Sequence, residues 1–175
     1  MCVSQQVSKQ AYKPLKRFTI HFSLTYPLKH AMKPVHILLA EDNEGDVLLT
    51  KEALADASFE IILSVVKDGS EAIAFMMKEG IYNGAALPDL LLLDVNLPKK
   101  NGHEVLKYIK SSDLLRHTPV IMLSTSCSEK DINLSYQNYA NCYITKPSEV
   151  SDFFEIINAI ENFWFSTVKL PTGQS

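Results

Sequence analysis

Chemically reactive side chains follow four short apolar runs in this 175-residue chain. Glu41 and Asp42 follow the first run, Asp94 follows four consecutive leucines, Ser124 ends a third run and Lys146 follows the last. Carboxylates held close together repel one another and raise each other's pKa unless a cation neutralises them. A divalent ion with oxygen ligands, such as Mg²⁺, suits such a set, and beside it a carboxylate can attack a phosphoryl group.

The residue types also suggest how such a site would divide the chemistry. Asp94 is the candidate nucleophile, while a metal and an ammonium neutralise the charge of the transferred oxygens. Lys146 is the candidate ammonium, although Lys67 also follows a strand and spacing alone leaves it open. The Ser124 hydroxyl can donate a hydrogen bond to a phosphoryl oxygen. Each residue alone could be an ordinary cap or turn, but their joint occurrence in this order favours a site.

The hydrophobic pattern alternates between strand and helix along residues 34–165. Apolar or β-branched runs predict five strands, at Val35–Ala40, Glu60–Val66, Leu90–Leu93, Val120–Leu123 and Cys142–Thr145. Apolar stripes predict five helices, at Asp46–Ala57, Ser70–Lys78, Asn101–Lys110, Glu129–Tyr136 and Val150–Phe165. Parallel strands need crossover helices, so the pattern predicts an α/β fold with a doubly wound parallel sheet. Ligands of such sheets lie at the carboxyl ends of the strands, where the candidate residues fall.

Charge divides the chain into two parts. Residues 1–33 carry six of the 17 basic residues and no acid, whereas the remainder has 11 basic against 20 acidic residues. The acidic body argues against nucleic acid as the main partner.

No apolar run is long enough to predict a membrane span, and three dispersed cysteines predict a reducing cytoplasm. A transit-type peptide, a dispensable extension ahead of Met32 and a basic binding arm all remain open for residues 1–33, which we expect to be poorly ordered.

Residues 34–165 resemble the receiver domain of two-component response regulators. Four blocks carry the resemblance: Leu38–Asp42, Leu91–Pro98, Leu123–Thr125 and Tyr143–Pro147. It implies the flavodoxin-like strand order 2-1-3-4-5 and a phosphorelay switch that a histidine kinase phosphorylates. The switch itself would not be an enzyme beyond Mg²⁺-dependent self-phosphorylation and autodephosphorylation.

The resemblance also implies a role for each site residue. Asp94 would be the phosphoacceptor and would bind Mg²⁺ together with Asp42 and the backbone carbonyl of Asn96. Glu41, which stands where many relatives have Asp, would help through a water. Ser124, in place of the commoner Thr, and Lys146 rather than Lys67 would contact the phosphoryl group. Tyr143 would be the aromatic residue that changes rotamer on activation.

Three segments are similar to the cyanobacterial-type response regulators that partner phytochrome histidine kinases. These segments are Asn96–Gly102, Asn141–Pro147 and the tail formed by Ile160–Phe165 with Val168–Pro171. The similarity implies a phytochrome kinase as phosphodonor. Because only residues 166–175 follow the last predicted helix, we expect a single-domain regulator whose altered surface is read by a partner.

The last predicted helix carries more aromatic residues than one buried stripe needs. Phe153, Ile156, Ile157, Ile160 and Trp164 share a stripe, while Phe154 and Phe165 lie off it. Excess aromatic residues at a surface often mark an interface. We therefore expect a homodimer, with an interface drawn from Phe154, Phe163, Trp164 and Phe165.

Two other classes of protein compete with the phosphorelay switch as interpretations of the sequence, and the first is an enzyme. A nucleoside triphosphatase would need a Gly-x-x-x-x-Gly-Lys-Ser/Thr loop, which the sequence lacks. A phosphatase that uses Asp94 would place a second acid where Asn96 stands, and the zinc pattern that begins at His103-Glu104 has Lys107 in place of its second histidine. The second competitor keeps the fold as an unphosphorylated pseudo-receiver that only docks proteins. The intact set of Asp42, Asp94 and Lys146 argues against it.

Overall fold

The computed structural model describes residues 34–55, 57 and 60–169, in which strands and helices alternate. The strands are β1 (Val35–Ala40), β2 (Ile61–Val66), β3 (Leu90–Asp94), β4 (Val120–Ser124) and β5 (Cys142–Thr145). The helices are α1 (Glu44–Ala55), α2 (Gly69–Met76), α3 (Gly102–Ser111), α4 (Glu129–Gln137) and α5 (Val150–Glu161), with a 3₁₀ turn at Gly80–Tyr82 and a π-helical turn at Asn162–Thr167. The predicted extension 1–33 and residues 170–175 of the predicted tail lie outside the described residues. Among the described helices, none is long and apolar enough to cross a bilayer.

The five strands form one parallel sheet in the order β2-β1-β3-β4-β5, which confirms the predicted topology. β3 and β4 are buried along their whole length, whereas β2 and β5, at the two edges, are largely half-buried. This difference explains why β3 contains four consecutive leucines, because a central strand with helices on both faces contacts apolar side chains on both faces.

Alternate residues of the central strands face two separate cores. Leu91 and Leu93 pack with α2 and α3, and Leu90 and Leu92 pack with α1 and α5. Each fully buried leucine contributes roughly 1.5–3 kcal/mol relative to exposure. The two cores therefore fix the positions of the strands, and with them the positions of the residues at the strand ends.

The end of the last helix differs from the prediction. A regular helix was predicted through Phe165, but α5 ends at Glu161 and a wider π-helical turn follows. This turn brings Phe165 into the core beside Ile160, where Phe165 is only 6% exposed. Phe165 therefore has little surface left for a partner in this subunit, and its place at an interface stays a prediction.

The other three aromatic residues of the predicted interface differ in exposure. Phe154 and Trp164 are half-buried and pack against the same core as Phe165. Phe163 is 53% exposed and stacks edge-to-face on Trp164, with ring centroids 5.5 Å apart. Phe163 is thus the most exposed member of the predicted set.

Candidate functional site

Three carboxylates meet where β1 and β3 end. Glu41 and Asp42 follow β1, and Asp94 is the last residue of β3. One oxygen atom from each of the three lies within 4.8 Å of the others. Glu41 and Asp94 are buried, whereas Asp42 is exposed. The acids therefore form a cluster with one side open to solvent.

The Lys146 ammonium, at the end of β5, lies among the buried acids. Its Nζ atom is 2.5 Å from Glu41 Oε2 and 3.2 Å from Asp94 Oδ1, and the lysine side chain is 7% exposed. Lys67, the other amine that spacing left open, instead pairs with Glu44 at 2.8 Å. The geometry thus distinguishes two lysines that the sequence alone could not.

A fourth carboxylate, Asp46 on α1, also contacts this ammonium. Its Oδ2 atom accepts a hydrogen bond from Lys146 Nζ at 2.9 Å. Sequence reasoning did not include Asp46 among the site residues. An acid in the first turn of a helix is an ordinary complement to the helix dipole, so its type and position carried no signal of a site.

Burial and charge change the proton affinities of these groups. Burial raises the pKa of both Glu41 and Asp94, and the Lys146 ammonium opposes this rise in both cases. Burial acts to lower the pKa of Lys146, but its hydrogen bonds to Glu41 and Asp46, together with the negative charges of Asp94 and Glu41, outweigh burial and raise this pKa well above its usual range. Lys146 is therefore firmly protonated, and the two buried carboxylates depend on it for compensation.

Backbone groups fix the orientation of the acids. The Asn96 amide donates to Asp94 Oδ2 at 3.2 Å, and the Asn43 amide donates to Glu41 Oε1 at 3.1 Å. The start of α3 also lies against the end of β3: a Cβ atom on Gly102 would come 2.2 Å from the Asp94 carbonyl oxygen. Only glycine leaves room for this close approach.

Ser124 and Tyr143 lie on the neighbouring strands. Ser124 is fully buried at the end of β4, and its hydroxyl oxygen accepts a hydrogen bond from the Ser126 amide at 3.1 Å. The half-buried Tyr143 ring packs against the core, and its hydroxyl donates to the Ser126 carbonyl at 2.7 Å. Both residues are thus bonded to the loop between β4 and α4, through Ser126.

The acidic cluster fits a hard divalent cation. All of its ligand atoms are carboxylate oxygens, and hard cations such as Mg²⁺ prefer oxygen donors. Its open side leaves space for waters and for a phosphoryl oxygen, which Mg²⁺ commonly keeps in its shell. The cluster with its adjacent ammonium could therefore stabilise negative charge that develops on a phosphoryl group beside Asp94.

The parallel sheet and the acid cluster with its ammonium at the strand ends are the features of a receiver domain. The family model of the response regulator receiver domain matches residues 37–158, and the chain belongs to this family. Among its relatives are response regulators of phytochromes. Response regulator Rcp1 of Synechocystis sp. is 43% identical over 140 residues, which span 80% of this chain and 95% of that protein.

Solved structures support the same relationship. The phosphorylated cyanobacterial phytochrome response regulator RcpA is 48% identical, with a TM-score of 0.78 over 80% of this chain and 100% of that one. The Mn²⁺-bound form of Rcp1 is 42% identical, with a TM-score of 0.77 over 79% of this chain and 100% of that one. The chain is thus a response regulator homologous to those of phytochromes.

Proposed function

We propose that this response regulator accepts a phosphoryl group on the Asp94 carboxylate from a histidine kinase. The observation that carries the proposal is the position of Lys146, whose buried ammonium lies 3.2 Å from Asp94 beside an all-oxygen acid cluster. An Asp94 oxygen would form the new bond to phosphorus as the phosphorus–nitrogen bond of a kinase phosphohistidine breaks. The phosphorylated state of the relative RcpA supports this chemistry.

Mg²⁺ is the proposed cofactor, and when bound it would neutralise charge on the transferred oxygens. Asp42, Asp94 and the backbone carbonyl of Asn96 would hold it, and Glu41 would contribute through a water. The Mn²⁺-bound form of the relative Rcp1 supports a divalent ion. Lys146 would contact a phosphoryl oxygen as a fixed positive charge. Beyond its own phosphorylation and dephosphorylation, we propose no enzymatic activity.

Ser124 and Tyr143 would convert this local charge into a change of surface. The Ser124 hydroxyl would turn towards the phosphoryl group, and the Tyr143 ring would move into the vacated space. In the present conformation both residues are bonded to Ser126, so movement of either one would disturb the loop that leads into α4. A two-state face formed by α4, β5 and α5 would then be read by a partner.

The phosphodonor we propose is a phytochrome-type histidine kinase. The support comes from RcpA, a cyanobacterial phytochrome response regulator that is 48% identical over 80% of this chain. The cytoplasm stays the predicted compartment. Profiling phosphotransfer against a panel of histidine kinases tests the pairing, and a clear preference for kinases unrelated to phytochromes would contradict it.

We also propose that the chain forms a homodimer through aromatic residues of α5 and of the turn that follows it, with Phe163 at the centre, flanked by Trp164 and Phe154. The 53% exposure of Phe163 supports this choice. Sedimentation at micromolar concentration should give a dimer that Phe163→Ser converts to monomer, while Leu48→Ser, at a similarly exposed apolar position, leaves it intact. A wild-type monomer both with and without fluoroberyllate would exclude the dimer.

Labelling with acetyl phosphate and Mg²⁺ tests the phosphoacceptor. We expect one phosphoryl group per chain, lost in Asp94→Asn and retained in Asp113→Asn, whose carboxylate is 91% exposed and lies beyond the last residue of α3. Chelation of Mg²⁺ should also abolish labelling. A wild type that takes up no label would favour the pseudo-receiver, and label that persists in Asp94→Asn would move the acceptor elsewhere.

A further inference from the structure

Lys146 is held by an acid that the proposed chemistry does not use. Asp46 Oδ2 lies 2.9 Å from Lys146 Nζ, closer than the 3.2 Å between the same ammonium and Asp94 Oδ1. The contact joins residues 100 positions apart in the chain. Asp46 does not belong to the proposed metal-binding cluster of Glu41, Asp42 and Asp94. Its contact with Lys146 is therefore a separate feature of the site.

The first turn of α1 fixes the position of Asp46. The Asp46 amide donates to Asn43 Oδ1 at 3.2 Å, and the Asp46 carbonyl accepts a hydrogen bond from the Thr50 hydroxyl at 2.8 Å. Thr50 is 1% exposed, so this second bond is anchored in the core. A carboxylate at a helix N-terminus is also favoured by the helix dipole. Asp46 is thus a preorganised acceptor for the ammonium.

The three carboxylate partners of Lys146 differ in what a bound cation does to them. Glu41 and Asp94 also belong to the acid cluster, so a divalent cation there competes with the lysine for their negative charge. Asp46 lies outside the cluster and keeps its charge for the lysine. A buried ammonium needs such a partner, because an uncompensated charge in a protein interior is costly.

We propose that Asp46 is a positioning residue that holds the Lys146 ammonium beside Asp94 while a divalent cation occupies the acid cluster. This inference deepens the proposed function and rests on it. With Asp46 neutralised, Lys146 retains only Glu41 and Asp94 as anionic partners and competes with the cation for both. Cation binding and phosphorylation should then both weaken.

Calorimetric titration of the full chain with Mg²⁺ tests the first consequence without any phosphodonor. Asp46→Asn preserves the shape of the side chain and should raise the Kd for Mg²⁺ about tenfold, the effect of a charge-assisted hydrogen bond. Glu44→Gln removes one charge from the same helical turn but contacts Lys67 instead, so it should change the Kd by no more than about twofold. Asp46→Glu retains the charge and should recover most of the affinity.

The same titration in a Lys146→Met background separates positioning from a simple loss of negative charge. A general charge effect would weaken Mg²⁺ binding equally with and without the lysine, whereas positioning requires the lysine. In Lys146→Met, the added Asp46→Asn change should therefore alter the Kd no more than Glu44→Gln does. Circular dichroism verifies that each variant is folded. The inference is overturned if Asp46→Asn matches Glu44→Gln in the wild-type background, or if its effect persists unchanged without Lys146.

Labelling with acetyl phosphate at saturating Mg²⁺ tests the second consequence. Asp46→Asn should be labelled on Asp94 about tenfold more slowly than the wild type, and Asp46→Glu should regain most of the rate. If the wild type is labelled on Asp94 and Asp46→Asn is labelled at the same rate, the positioning role alone is overturned. A wild type that is not labelled, or label that survives Asp94→Asn, overturns the proposed function, and the Mg²⁺ titration then still decides the role of Asp46 in cation binding.

Discussion

Replacing Lys146 with methionine should destabilise the domain in a way that Mg²⁺ reverses. The substitution leaves Glu41 and Asp94, which are 2% and 6% exposed at their side chains, without a compensating charge. Breaking a buried ion pair by removing one partner costs about 3–5 kcal/mol. We expect the lower end, about 3 kcal/mol, because burial already raises the pKa of both carboxyl groups and so makes protonation an alternative to repulsion.

Thermal unfolding measured by circular dichroism at pH 7 provides the assay. In the presence of a chelator, a loss of about 3 kcal/mol should lower Tm by roughly 10 °C for a domain of this size. Mg²⁺ should raise the Tm of the variant more than that of the wild type, because the cation takes the place of the missing ammonium and binds a more negative cluster. The wild type, whose acids are already paired, has less to gain.

Lys67→Met is the matched control for this experiment. Its amine pairs with Glu44, whose side chain is 83% exposed, and exposed pairs contribute little to stability. The control should therefore melt close to the wild type both with and without Mg²⁺. Equal losses in the two lysine variants, or a Lys146→Met variant that melts with the wild type in chelator, would refute the view that the acid cluster depends on this ammonium.

Three further predictions follow from other contacts. Gly102→Ala should lower Tm and slow phosphorylation, because its Cβ atom would lie 2.2 Å from the Asp94 carbonyl oxygen; unchanged melting would contradict that contact. Burial lowers the pKa of Lys110 to about 8 from 10.5. The buried charge therefore destabilises the folded state most strongly below pH 8, and this destabilisation disappears as the pH rises towards 10.5. In urea unfolding, the wild type should accordingly gain stability relative to Lys110→Met between pH 8 and pH 10, whereas a constant difference would exclude the shift. Tyr143→Phe removes the 2.7 Å hydrogen bond to the Ser126 carbonyl, which is worth about 1 kcal/mol, and should tighten fluoroberyllate binding about fivefold if the ring must leave this position on activation.

The strands and their order were the most predictable part of the fold. Val35–Ala40 and Cys142–Thr145 were predicted with the bounds that the structure has, and the other strands differ by one residue at one end. Buried parallel strands read as short apolar runs, and the crossover helices between them leave few possible topologies. The ends of the strands could therefore be predicted from the sequence, and with them the location of most candidate residues.

The features that were missed depend on packing between distant segments. Asp46 contacts Lys146 only because α1 docks beside the end of β5, and nothing near either residue in sequence encodes that docking. Phe165 was assigned to the surface because a regular helix would turn it away from Ile160. The π-helical turn at Asn162–Thr167 is wound more widely than an α-helix, and Phe165 within it is buried in the same core as Ile160.

The site concentrates charge at the carboxyl ends of the strands of an otherwise apolar sheet. Four carboxylates surround or adjoin one ammonium there, while the strands that carry Asp94 and Ser124 are buried along their whole length. Because the apolar cores supply the stability of the domain, the strand ends can hold groups that repel one another without unfolding it. Such an arrangement is sensitive to added charge: a divalent cation would relieve the repulsion, and the proposed phosphoryl group on Asp94 would introduce new charge for Lys146 to balance. The same imbalance that makes this edge costly in the resting state is thus what allows a modification at one residue to redistribute the contacts around it.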